Sequence, residues 1–316
     1  MAKKNFVDAK KAVSDEEVKD REKLLKEAER FIKGVNRMHF EGLGDAWAVV
    51  TGMHPSAAIP QVVGTVLHEG LTRPAWQWQR QGNDYMLLAW PKDQPIRASV
   101  LLMGEKDKQL KPVDCVPLLE GLANDLTISS VYPWQNGKGA DVAADMLEGH
   151  NPMWFYDPLY LRDKDDLTEG ITQTFLLSAL ALGFRKALLD EITITNGPRF
   201  LEHGKKWLEE NPDKTTADIP PLKIPVAGKY LIMPGQRFCE YQMRGIIEDV
   251  EDAMLEKMEF KVCYMNFPFE NREPMRLPVY VSKSVLGDLE PKKGMEIDAY
   301  VWLQGRVIDF DQQGEA

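Results

Sequence analysis

Residues 295–308 read MEIDAYVWLQGRVI, and their side chains alternate between apolar and polar with the period of a β-strand. One side of this predicted strand carries apolar residues: Ile297, Ala299, Val301, Leu303 and Val307. The other side carries Tyr300, Trp302, Gln304 and Arg306. We therefore predict one face that fills a core and an opposite face, turned outward, that presents two aromatic rings, an amide and an arginine.

Further strand patterns precede this one and are separated by turn residues. The predicted elements are strands at Tyr241–Val250, Met258–Met265 and Leu277–Val281, and a helical turn at Ser282–Leu289. Gly245 lies inside the first of these strands and Gly305 inside the last. Glycines at such positions favour the bulges and bends that close a small barrel.

This order of strands and glycines resembles the oligonucleotide/oligosaccharide-binding (OB) fold. Residues 243–247, Met-Arg-Gly-Ile-Ile, are similar to its coiled first strand, and residues 293–297 leading to 302–307 are similar to its closing strands. The resemblance covers the last quarter of the chain. It implies a binding face in which rings stack on a ligand and cations meet phosphate.

The predicted binding residues are those of the outward row and its neighbours on the preceding strands: Tyr300, Trp302, Gln304, Arg306, Tyr280, Arg276 and Lys261. The net charge of −10 disfavours single-stranded nucleic acid, and Glu259 and Asp298 share the outward side. A protein partner or self-association is therefore the favoured interpretation. The alternative is that Tyr300 and Trp302 are buried against the first domain or an oligomer partner.

The first part of the chain indicates an antiparallel sheet. We predict strands at 47–50, 62–67 and 96–103, and a hairpin formed by 75–80 and 85–90. Residues 168–189 are apolar on nearly all sides, which predicts a buried helix packed on that sheet. The predicted fold class is thus α+β: an N-terminal antiparallel sheet on a buried helix, followed by a small C-terminal OB-like β-barrel.

Composition and the positions of helix-capping residues and prolines divide the chain into four parts. Residues 1–40 form an amphipathic basic arm, whose helix starts at the capping box Ser14–Glu17, and this arm could dock the protein into a larger complex. Residues 41–212 form the α+β domain. Prolines cluster in a linker at 213–235, and residues 236–316 form the barrel.

The sequence contains no phosphate-binding loop, nucleophile elbow, zinc helix or dinucleotide fingerprint. We predict no cofactor, no metal and no catalytic residue. The alternative is a metal-assisted enzyme built on the carboxylates of one loop, since hard cations prefer oxygen ligands. That loop carries Asp157, Asp163, Asp165 and Asp166.

The location also has to be inferred from composition. Three cysteines without a metal-binding spacing indicate thiols in a reducing compartment. The chain has no run of about 20 apolar residues and no apolar signal-peptide core. We therefore expect a soluble, acidic, cytoplasmic binding protein without membrane contact.

Overall fold

The computed structural model describes residues 37–308, apart from residues 73, 75, 80–84, 105–108, 146–151, 189 and 270–271. The predicted helix of the N-terminal arm lies outside the described residues. The chain divides into two compact units. The smaller described unit falls within residues 190–227, and the larger comprises Arg37–Leu188 and the described residues from Gly228 onward.

The larger unit begins with two helices and a four-stranded sheet of order β1-β2-β3-β4. The elements are α1 (Gly44–Thr51), α2 (Pro55–Thr65), β1 (Trp76–Gln79), β2 (Tyr85–Trp90), β3 (Ile96–Met103) and β4 (Lys111–Leu119). Strands β1 and β2 pair antiparallel, with Trp76 opposite Ala89, so the predicted hairpin is confirmed. The strands predicted at 47–50 and 62–67 are wrong, because both segments are helical or continue a helix.

The reason lies in tertiary packing and capping. Trp47 and Val50, three residues apart, are both buried on one face of α1. His54 accepts the backbone N–H of Ser56, and Pro55 occupies the first turn of α2. The short apolar runs that suggested strands are thus the buried faces of two helices.

Five strands then close a ring. These are β5 (Leu122–Pro133), β6 (Ala140–Asp145), β7 (Met153–Asp157), β8 (Thr172–Lys186) and β16 (Glu296–Val307). Strands β5, β6 and β7 form an antiparallel meander, and β5 also pairs antiparallel with β8. Strand β16 completes the ring, because it pairs antiparallel with β8 and parallel with β7.

The C-terminal strands form a second ring on the same plan. They are β12 (Glu240–Ile246), β13 (Asp249–Leu255), β14 (Met258–Phe269) and β15 (Arg272–Ser282), with β11 (Leu231–Pro234) beside β12. Only residues 247–248 separate β12 from β13; β12 pairs with β16 and β13 with β14. Strand β15 pairs with β14 and, parallel, with β8. Strands β8 and β16 therefore belong to both rings.

One core fills the two rings. The inward side chains of β16, Ile297 to Leu303 at every second position, belong to it, as the alternation predicted. Short helices follow the third strand of each ring: α3 (Tyr160–Asp163) after β7 and α5 (Lys283–Leu286) after β15. A second apolar cluster joins the outer faces of the rings to α1, α2 and the four-stranded sheet.

The buried helix predicted at 168–189 is wrong, because this segment is strand β8. Its apolar residues alternate between two buried surfaces. Ala179 and Ala181 point into the ring core, whereas Leu180 packs in the second cluster. A strand buried on both faces is apolar throughout, as a buried helix is.

The smaller unit contains β9 (Glu191–Ile194), α4 (Pro198–Glu210) and β10 (Leu222–Pro225). Strands β9 and β10 pair antiparallel, with Leu222 opposite Ile194. A proline is favourable in the first turn of a helix, and α4 begins at Pro198.

The predicted division of the chain differs from the observed one. Each ring takes one strand from the other half of the chain, so 41–212 and 236–316 are not separate domains. The predicted linker 213–235 contains the short strands β10 and β11. The described chain is a mixed α+β protein dominated by strands.

Candidate functional site

The predicted outward row of β16 is not a free surface, because the helices and the four-stranded sheet pack against it. Gln304 is buried and docks on β4: its Nε2 donates to the carbonyl of Pro117 at 2.6 Å, and its Oε1 accepts the N–H of Leu119 at 3.2 Å. Tyr280 is buried too, and its hydroxyl donates to the carbonyl of Glu120 at 2.8 Å. The predicted outward exposure is wrong for these two residues.

The other three residues of the row are half-buried and engaged within the chain. The Trp302 ring stacks on Tyr156 with centroids 5.3 Å apart. The Tyr300 hydroxyl donates to a carboxylate oxygen of Glu240; burial and this bond raise the pKa of Tyr300 to about 12. Arg306 donates to Glu120 Oε1 at 2.9 Å. The alternative of packing against the chain's own first part therefore describes Trp302, whereas Tyr300 bonds to Glu240 of the predicted barrel.

Arg276 and Lys261 lie apart from that row. Arg276 is exposed, and its backbone exchanges hydrogen bonds with the amide of Asn124. Lys261 forms an ion pair with Asp252 at 2.6 Å. The structure does not bring these two cations together with Trp302 in one site.

The aspartate-rich loop also has a structural explanation. Asp163 is buried, pairs with Arg162 and accepts the N–H of Val307 at 3.0 Å. Asp157 is buried and accepts the N–H of Leu159 at 2.8 Å. Burial, and then the charge of Asp163, raise the pKa of Asp157 well above its ordinary value.

The four aspartates therefore do not share a site. Asp165 and Asp166 are exposed, whereas Asp157 and Asp163 face the interior. Within the part of the chain that the structure describes, no group of three or more His, Cys, Asp or Glu could hold a metal ion.

A large open concavity lies elsewhere, between α2, the start of β4 and the loop after β5. This cleft, which we call the Trp134 cleft, has a volume of about 620 Å³. Four separate segments contribute to its lining: residues 41–43; 59, 60, 63 and 64; 112–115; and 134 and 136. Its apolar wall comprises Leu43, Ile59, Pro60, Val63, Pro112, Val113 and Trp134. A mostly apolar cleft with few polar groups has the composition of a ligand site.

Hydrogen bonds between distant segments hold the walls of the cleft. The indole of Trp47 donates to the carbonyl of Cys115 at 2.7 Å, which fastens α1 to β4. The N–H of Gln135 donates to Glu41 Oε2 at 2.9 Å. The ammonium of Lys138 donates to the carbonyl of Val113 at 2.7 Å. These bonds tie β4 to α1, and the loop after β5 to β4 and to residues 41–43.

Asp114 is a half-buried carboxylic acid in the lining of the cleft. Its Oδ1 accepts the N–H of Cys115 at 2.9 Å. Burial raises the pKa of Asp114, against the opposing effects of that bond and of Lys138. The carboxylate is therefore held in a site that disfavours its charge.

An aromatic layer lies behind the cleft. Trp134 donates its indole N–H to Asp141 at 3.0 Å, and the other oxygen of Asp141 is 2.6 Å from His39 Nδ1. The His39 ring stacks between Tyr132 and Phe238, at 3.7 Å and 4.2 Å between centroids. This layer fixes the orientation of Trp134 from the side away from the cleft.

Sequence reasoning missed the cleft because no local pattern marks it. Trp134 follows the end of β5 and Asp114 lies within β4, and neither belongs to a recognisable motif. The four lining segments meet only through the tertiary fold, so no spacing along the chain relates them.

Comparisons with known proteins add little. No family model and no curated protein matches the chain. One similar solved structure is that of the cytoplasmic molybdate-binding protein ModG with molybdate bound. It has 12% sequence identity and a TM-score of 0.25, over 58% of this chain and 94% of that one. A TM-score this low supports no inference about ligand.

None of the helices in the described segments is both long enough and apolar enough to span a bilayer.

Proposed function

We propose that this chain is a non-catalytic binding protein whose ligand site is the Trp134 cleft. The observation that carries the proposal is the cleft itself, about 620 Å³ of largely apolar space. Hydrogen bonds join the loop after β5 to the wall at residues 41–43 and to β4. Walls held in this way reduce the cost of ordering the site on binding. The ligand we propose is a small molecule with an apolar body.

We further propose that each ring is an OB-like barrel and that the two barrels act as a scaffold. Three features of each ring support this description. The third strand pairs parallel with the last strand, the other pairs are antiparallel, and a short helix follows the third strand. In both rings the outer face that such barrels use for ligands is packed against the chain's own first part. The barrels therefore position the cleft rather than bind through that face.

We also propose that the chain associates with a protein partner or with a second copy of itself. The exposed Arg276 and the half-buried Lys261 support this proposal as cations that reach the surface. Three unpaired, buried cysteines support a reducing, cytoplasmic setting: Cys115, Cys239 and Cys263.

Filling the cleft tests the proposal. A Cβ added at Gly64 meets no atom within 4 Å, and Gly64 lines the cleft, so Gly64→Phe puts a ring into the cleft without a clash at Cβ. The probe is the uncharged fluorophore N-phenyl-1-naphthylamine, which brightens in apolar surroundings. We expect saturable binding to the wild type and an affinity about tenfold lower for Gly64→Phe.

The matched control is Gln61→Phe, which adds the same ring to an exposed position of the same helix outside the cleft. Its affinity should equal that of the wild type. Unchanged binding by Gly64→Phe, or no binding to the wild type, would contradict the proposed site.

A further inference from the structure

We propose that the Trp134 cleft selects organic cations, with Asp114 as the group that recognises the ammonium. This inference rests on the proposed function and names its ligand class: a small molecule with an apolar body and one protonated amine.

The charge of the cleft supports this ligand class. The described lining residues include two carboxylic acids, Glu41 and Asp114, and the thiol of Cys115, and none of them is cationic. Glu41 already accepts the N–H of Gln135. Lys138 lies outside the lining; its ammonium donates to the carbonyl of Val113, and its charge acts on Asp114 against the effect of burial. The two carboxylates together outweigh this one cation. A net negative, mostly apolar cleft complements a cation that carries an apolar group.

The placement of Asp114 makes that complementarity effective. Folding has already removed much of the water from this carboxylate, and its hydrogen bond is to the adjacent backbone N–H of Cys115. A bound ammonium therefore gains the attraction of a partly desolvated carboxylate, and the protein need not desolvate that group again on binding. An uncharged ligand of the same shape gains no such attraction.

Tyr156 provides a second polar group close to Asp114. Its hydroxyl is buried and has no hydrogen-bond partner among the described residues. After burial, the charge of Asp114 contributes most to raising the pKa of Tyr156. The Tyr156 ring also packs on Trp134, with centroids 4.6 Å apart. This hydroxyl does not line the cleft, so it belongs to the surroundings of Asp114 rather than to the groups that touch a ligand.

The experiment compares two ligands of nearly the same shape, 2-phenylethylamine and 2-phenylethanol, as competitors of the fluorophore at pH 7.5. We expect the wild type to bind the ammonium about tenfold more tightly than the alcohol. Asp114→Asn should abolish that preference, because the ammonium loses its carboxylate partner. The control Asp93→Asn removes an exposed carboxylate outside the cleft and should keep the preference.

The outcomes separate this inference from the proposed function. Equal binding of amine and alcohol by the wild type, or a preference that survives Asp114→Asn, overturns cation selection while the cleft remains a binding site. Failure of the fluorophore to bind the wild type overturns the proposed function itself.

Discussion

Each of the two rings has a tyrosine at the equivalent position. In both rings it lies on the third strand, where that strand pairs parallel with a strand shared by the two rings. In the first ring Tyr156 lies opposite Gln304 of β16, and in the second Tyr280 lies opposite Leu180 of β8. Both side chains are buried in the cluster that joins the rings to the helices. Their hydroxyl groups differ.

The hydroxyl of Tyr280 donates to the carbonyl of Glu120, whereas that of Tyr156 has no partner among the described residues. Buried polar groups are nearly always hydrogen-bonded, because an unpaired one forfeits its bond to water. The hydrogen bond of Tyr280 stabilises the fold. The hydroxyl of Tyr156, whose ring packs on Trp134, makes no such contribution.

Strands β8 and β16, which belong to both rings, each contain a glycine, and the surroundings of the two glycines differ. This difference predicts the largest effect on stability. A Cβ at Gly305 of β16 would lie 2.5 Å from the ring of Phe155 and 2.8 Å from Leu177, both fully buried. A Cβ at Gly183 of β8 meets only the Cβ of Tyr300, at 3.8 Å. The interior of the first ring is therefore filled up to the backbone of β16.

We expect Gly305→Ala to lower the free energy of unfolding by about 3 kcal/mol, because overpacking displaces buried side chains. Gly183→Ala should change it by less than about 0.5 kcal/mol. Urea unfolding followed by circular dichroism measures both. Similar losses for the two variants would contradict the contrast in packing.

The tyrosines give the second prediction. Tyr280→Phe should lower the free energy of unfolding by about 1.5 kcal/mol, because the carbonyl of Glu120 loses its side-chain donor. Tyr156→Phe should leave it unchanged or raise it slightly, because the variant removes a buried hydroxyl that has no partner.

The same urea titrations measure this difference. An equal loss in the two variants would show that Tyr156 has a partner in solution, such as an ordered water, and the contrast between the rings would disappear.

The sequence was sufficient for strand β16, whose two sides differ in polarity, and insufficient for strand β8, whose two sides are both apolar. The alternation through Ile297 and Val301 identified β16 and its inward side correctly. The same reasoning failed for β8, because Leu180 and Ala181 are both fully buried, on opposite faces. Periodicity disappears when both sides of a strand are apolar.

The site was less predictable than the fold. The alternation assigned Gln304 to the side away from the ring core, which is correct, but it could not show that β4 covers that side. The cleft depends on contacts such as that of Gln135 with Glu41, 94 residues apart along the chain. Only the tertiary fold brings such residues together, so a pattern confined to one segment cannot reveal them.

The smallest predicted effect concerns the charge of the cleft. Burial raises the folded-state pKa of Asp114 above its value in the unfolded chain. The folded state thus binds the proton more tightly than the unfolded state does. At neutral pH the ionised carboxylate therefore destabilises the fold. This destabilisation is relieved as the pH falls through the folded-state pKa towards the unfolded-state pKa.

Asp114→Asn removes that ionisation. We expect the variant to be more stable than the wild type at pH 7.5, by less than about 1 kcal/mol, and the difference to shrink as the pH approaches about 4, near the ordinary pKa of an aspartate. Asp93→Asn, at an exposed position, should show no such pH-dependent difference. Thermal unfolding of the three proteins between these pH values measures the effect. A stabilisation by Asp114→Asn that grows on acidification would mean that the carboxylate is favoured by its surroundings, and the cleft would then offer an incoming cation no partly desolvated partner.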